Sequence, residues 1–147
     1  QQVEDALVVS GIPPSKLELE LTESALLHDG EAVTGVLRQL KALGVKLSID
    51  DFGTGYSSFA YLRRFKFDKI KIDHSFVSEL IDDPDNAAIV RGIISLALSL
   101  GMDVLAEGVE TPAVALRLKH MQCTYAQGYH FARPLRPEAF LERLGAA

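Results

Sequence analysis

The chain has 147 residues, 48% apolar and 24% charged, a globular composition that excludes wholesale disorder and suits one domain or part of a larger one. Twenty acidic against fifteen basic residues leave a net charge of −5, which argues against a DNA- or RNA-binding surface. The one cysteine, Cys123, excludes an internal disulfide framework and a clustered thiolate metal site. The most apolar stretch, residues 89–109, is interrupted by Arg91, Asp103 and Glu107 and cannot span a membrane. Residues 1–10 lack the basic start and long apolar run of a signal peptide. A soluble, cytoplasmic domain is expected.

In chain order, a short helix over 3–9 precedes Gly11, and an extended run over 16–22 follows. Val33, Val36, Leu37, Leu40 and Leu43 recur at helical spacing, after the possible cap Asp29 and before Gly44. An extended run over 46–50 leads to a short helix over 57–64, a run over 67–73 and a short helix over 75–81. A longer helix starts near Pro84 or Asp85 and passes through Ile89, Ile93, Leu96 and Leu100 to Gly101. After a run over 103–107, Thr111 and Pro112 read as an N-cap and first helical residue for a helix through Val114 to Met121. The last run covers 124–128, and Arg136-Pro137 opens a helix with Phe140, Leu141 and Leu144 expected to face inward. Extended runs separated by helices predict βαβ units and a parallel sheet. A weak internal repeat, residues 43–50 against 100–107, has the same order of helix end, glycine, strand and carboxylate. No low-complexity linker divides residues 1–147, which read as one α/β body.

Parallel strands covered on both faces are continuous apolar runs, but these alternate. Leu17 to Leu21 does so, as does Lys69 to Asp73, and Lys46, Ser48 and Asp50 share one face with Leu47 and Ile49 on the other. With helices over the apolar faces, the charged faces converge inside a barrel or at the mouth of a sheet. Polar groups also gather at the strand exits: Glu20 and Glu23, Asp50 and Asp51, Lys71 and Asp73, Glu107 and Glu110, and Gln127. In α/β barrels and open sheets that end carries the active site. Polar loop ends are the plainer explanation for any single residue, and a less economical one for five strands together.

Seven carboxylates around one lysine repel one another without cations. An oxygen-rich set suits magnesium, manganese or calcium rather than zinc. His28, His74, His120 and His130 have no ligand spacing. Such a cage points to metal-assisted attack of water on a phosphoryl centre. Adjacent Asp50 and Asp51 could serve two metals about 3.5–4 Å apart, although a double aspartate alone is more often a solvated turn. Gly53, Thr54, Gly55, Ser57 and Ser58 follow in a loop that could offer N–H groups and hydroxyls to a phosphate or a metal-bound group. The lysine of a nucleotide phosphate loop is missing.

Five segments in order, Glu20-Leu21-Thr22-Glu23-Ser24, residues 50–58 (DDFGTGYSS), Lys69-Ile70-Lys71-Ile72-Asp73, residues 106–111 (AEGVET) and Gln127-Gly128-Tyr129, resemble the EAL-domain phosphodiesterases of bacteria, which hydrolyse cyclic di-GMP to linear pGpG. The resemblance covers nearly the whole chain and implies a TIM-type (β/α)8 barrel. It implies that Glu20, Asp50, Asp51 and Glu107 are metal ligands, Asp51 for a second metal, with Mg2+ or Mn2+ productive and Ca2+ bound but inhibitory. Lys71 would lie beside the attacking water and scissile phosphate, Gln127 would orient the site, and Asp73 would join the metal–water network. Glu23 would anchor the loop of Asp51, Gly53, Thr54, Gly55, Ser57 and Ser58, and Glu110 would support the site from behind. Implied partners are cyclic di-GMP, sensor or diguanylate-cyclase domains of the same protein, through which it could be tethered to a membrane, and a second copy.

The Glu-Ala-Leu signature and the strand with the family's asparagine ligand are absent, and a (β/α)8 barrel takes about 250 residues. The expectation is therefore an incomplete barrel of about five βα units without its N-terminal strands, the C-terminal portion of an EAL domain and inactive alone. The alternative is a degenerate domain that binds cyclic di-GMP, or another protein, without catalysis.

Overall fold

The computed structural model describes residues 1–23, 25, 30–55, 62 and 65–145. Five strands, β1 (Glu18–Thr22), β2 (Lys46–Phe52), β3 (Lys69–Ile72), β4 (Asp103–Ala106) and β5 (Tyr125–Ala126), form one sheet in sequence order. Every pairing is parallel. Among the described residues the α-helices are α1 (Gln2–Ser10), α2 (Gly30–Ala42), α3 (His74–Ser78), α4 (Pro84–Ser99), α5 (Pro112–His120) and α6 (Pro137–Gly145). Parallel strands in sequence order joined by helices are the arc of a (β/α) barrel. The arc is incomplete, as predicted. No described helix is long and apolar enough to cross a membrane.

Strand alternation sorts the side chains. Leu47, Ile49, Ile70, Ile72, Val104 and Ala106 point outward into a core they share with Leu37 of α2, Val77 of α3, Val90, Ile94 and Ala97 of α4, and Val114 and Leu118 of α5. All of these are buried, each large one contributing about 1.5–3 kcal/mol. The opposite face carries Glu18, Glu20, Ser48, Asp50, Lys69 and Lys71. Lys69 on β3 reaches Glu18 on β1 at 2.7 Å, across the intervening β2. Two strand spacings span about 9.5 Å, so the pair closes through long side chains over a concave surface. The charged faces thus converge.

Helix ends explain the internal repeat. Val45 N–H donates to Leu40 O at 3.2 Å and Met102 N–H to Ala97 O at 2.9 Å, with Gly44 and Gly101 at positive φ. This is the six-to-one closure of a Schellman end. A third copy closes α5, Cys123 N–H to Leu118 O at 3.1 Å, with Gln122 at φ 63° in the glycine's place. Asp83 caps α4 through Asp85 N–H, and Thr111 caps α5 through Val114 N–H.

Several boundaries and faces differ from expectation. Pro14–Lys16 forms a 3-10 turn, so β1 starts at Glu18. β2 runs on to Phe52, while β3 and β5 are shorter than the extended runs. The short helix expected over 75–81 is His74–Ser78. Ile89, Leu100 and Val36 are exposed; α4 buries Ile93 as expected, in a stripe with Ala87, Val90, Ile94 and Ala97. Phe140, Leu141 and Leu144 are 52%, 66% and 58% exposed rather than inward, because no described element packs across that face of α6. The cap Asp29 and most of the helix expected over 57–64 lie outside the described residues.

Candidate active site

The site sits where β1 to β5 end. Lys71, in the middle of β3, has a side chain only 7% exposed. Its Nζ lies 2.8 Å from Glu20 Oε2, 2.8 Å from Asp50 Oδ1 and 3.0 Å from Glu107 Oε1. Three carboxylates from three strand ends thus converge on one ammonium. Burial acts to lower the Lys71 pKa, but the contacts with Asp50, Glu20 and Glu107 outweigh it and hold the lysine above its ordinary range. Asp50 Oδ1 is buried, with the Lys71 ammonium as its ion-pair partner. Gln127, just past β5, donates from Nε2 to Glu107 Oε1 at 2.7 Å.

A bulge brings the two aspartates together. Ile49 pairs with Ile70 and Phe52 with Ile72, so Asp50 and Asp51 oppose the single residue Lys71. Asp51 takes a left-handed conformation, φ 52°, which aspartate tolerates better than most residues. A regular strand would send consecutive side chains to opposite faces. Here Asp50, Asp51 and Glu107 each present a carboxylate oxygen within 4.8 Å of the others, an all-oxygen group suited to a hard cation. Loss of hydration, then the charges of Asp50 and Asp73, push the Asp51 pKa up.

The other carboxylates stand apart from Lys71. Asp73 caps α3, accepting from Ser75 N–H at 3.0 Å and from the Ser75 hydroxyl; the hydroxyl bond holds its carboxyl below the ordinary range. Glu23 is buried, and its Oε2 accepts from Gly53 N–H at 3.2 Å. Thr54 donates its hydroxyl back to Asp51 O at 2.8 Å. Gly55 lies directly over the Glu23 carboxylate, where a Cβ would make an ordinary van der Waals contact at 3.4 Å. Ser57 and Ser58 lie outside the described residues.

Glu110 lines a cavity of about 670 Å³ beside Gln127, together with His74, Tyr129, Arg133 and Phe140. The Arg133 guanidinium stacks over the Tyr129 ring at 4.7 Å. Sequence reasoning gave no site role to Ser75, nor to any of the cavity residues except Glu110 and Gln127. The Asp73-His74-Ser75 spacing is a readable cap signal; the cavity is tertiary and has none.

The EAL domain family profile matches residues 1–134. Cyclic di-GMP phosphodiesterase NbdA of Pseudomonas aeruginosa is 46% identical over 141 residues, 96% of this chain and 18% of that protein. The bifunctional diguanylate cyclase/cyclic di-GMP phosphodiesterase MucR of the same organism is 45% identical over 139 residues, 95% of this chain and 20% of that protein. The solved c-di-GMP complex of the MucR phosphodiesterase superposes with a TM-score of 0.90 at 45% identity, over 94% of this chain and 56% of that one. A manganese/cyclic di-GMP complex of Klebsiella pneumoniae BlrP1 superposes with a TM-score of 0.85 at 36% identity, over 90% of this chain and 34% of that one. The chain spans about a fifth of the length of these curated relatives.

Proposed function

The chain belongs to the EAL domain family, and on that premise we propose that it forms part of a domain that hydrolyses cyclic di-GMP to linear pGpG with divalent metal ions. The observation that carries this reading is the convergence of Glu20, Asp50 and Glu107 within 3.0 Å of Lys71 Nζ. One ammonium balances only one of these three negative charges, and the excess favours a further cation.

The residues fit hard ions: Asp50, Asp51 and Glu107 each bring a carboxylate oxygen within 4.8 Å of the others. Glu20, Asp50, Asp51 and Glu107 would hold Mg2+ or Mn2+, which when bound supplies an activated water and neutralises phosphate charge. Lys71, kept protonated by its carboxylate neighbours, offsets charge developing on the phosphoryl oxygens. Gln127 fixes the rotamer of Glu107 through its 2.7 Å hydrogen bond. Asp73, oriented by Ser75, faces the same strand end and takes part in holding water there. Glu23 fixes the loop of Gly53, Thr54, Gly55, Ser57 and Ser58, and Glu110 supports the cavity wall where the dinucleotide extends. As an isolated chain it is inactive. Sensor or cyclase domains of the same protein, and a second copy, complete the assembly.

Chromatography of products from the full-length protein tests this reading. Mg2+ and Mn2+ are expected to yield pGpG, whereas Ca2+ binds but gives little product, because its looser coordination positions water poorly. Equal rates with calcium and magnesium would contradict it.

A further inference from the structure

The position of Lys71 has a second consequence, which rests on the metal-site reading above. An ammonium has three N–H donors and no acceptor. Lys71 Nζ has a carboxylate oxygen at 2.8, 2.8 and 3.0 Å, each from a different strand end. Two of those carboxylates, Asp50 and Glu107, also belong to the group whose oxygens lie within 4.8 Å of one another. The same two carboxylates therefore neutralise the lysine and are offered to a cation. The side chain is 7% exposed, so water screens its charge poorly from anything bound beside it.

We propose that the Lys71 ammonium is a built-in counter-cation that competes with divalent ions for Glu20, Asp50 and Glu107, so that the charge at position 71 sets how tightly the site binds metal. Without metal, the ammonium holds the three carboxylates together against their mutual repulsion. When a divalent ion binds, it weakens the lysine's contacts and meets a like charge a few ångströms away. The site thus stays assembled when empty, and its metal affinity is lower than the same carboxylates would give alone.

The test is Mn2+ binding to the intact EAL domain, followed by the loss of the free-ion electron paramagnetic resonance signal, with no turnover required. Lys71→Met is expected to bind Mn2+ at least about tenfold more tightly than the wild type, the low end for removing a like charge at this range near a protein surface. Lys71→Arg, which keeps the charge, should stay near the wild-type affinity. Lys71→Gln gives the same reading as Lys71→Met if the latter unfolds without metal, and circular dichroism reports the fold of each. In the neutral variants the melting temperature should fall without metal and rise more on adding Mn2+ than in the wild type. Unchanged or weaker binding in both neutral variants would overturn the inference, making Lys71 an organiser of the site rather than a competitor. If no form binds Mn2+, the metal-site reading itself fails and the inference falls with it.

Discussion

Replacing Glu107 by alanine in the intact EAL domain is expected to lower kcat for cyclic di-GMP by about 10²–10³-fold, the usual cost of removing one preorganised electrostatic group from a reaction centre. Glu107 lies at the crossing of two networks. Its Oε1 accepts from Gln127 at 2.7 Å and faces Lys71 at 3.0 Å, and it completes the oxygen group with Asp50 and Asp51. The substitution removes a cation donor, leaves Gln127 without its acceptor and strips one contact from a nearly buried ammonium. The outward core of Val104 and Ala106 is untouched, so circular dichroism should be unchanged. Lys71→Ala should produce a loss of the same order. Steady-state rates near wild type in both variants would remove the roles assigned to them.

The isolated 147-residue chain is expected to show no hydrolysis above background, although it carries Glu20, Asp50, Asp51 and Glu107. The physical reason is the open arc. Among the described residues, β1 pairs with β2 alone and β5 with β4 alone, so each is an edge strand of an open arc. Val8 and Val9 of α1 are 79% and 87% exposed, and Phe140, Leu141 and Leu144 of α6 are uncovered as well. Apolar surface left in water gives no burial energy, so the strand ends are held less rigidly than a two-metal reaction requires. The Glu-Ala-Leu signature and the asparagine ligand that the family resemblance implies are also absent from these residues. The check is incubation of the purified chain with cyclic di-GMP and Mn2+, followed by chromatography. Turnover at the rate of an intact EAL domain would refute this expectation.

Much of the fold is legible in the residues, because period-two alternation is a local property. Leu47 and Ile49 against Ser48 and Asp50, and Ile70 and Ile72 against Lys69 and Lys71, fix which face meets helices and which meets the interior. The carboxylates at the strand exits are readable for the same reason. Three features are not local. The bulge that sets Asp50 and Asp51 against Lys71 exists only in the pairing of β2 with β3. The third helix closure hides because Gln122 adopts a glycine conformation. The exposure of Phe140, Leu141 and Leu144 depends on what packs beyond α6 rather than on their spacing, which is helical as expected. The strand exits also divide more finely than their charge suggests. Glu20, Asp50 and Glu107 reach Lys71, while Asp73 caps a helix and Glu23 holds a loop.

The most direct measurement is manganese anomalous scattering from crystals of the intact EAL domain soaked with Mn2+. Peaks among the carboxylates of Glu20, Asp50, Asp51 and Glu107 are the expected result. Ions bound elsewhere, with Glu20, Asp50 and Glu107 left in their lysine and glutamine contacts, would contradict the account.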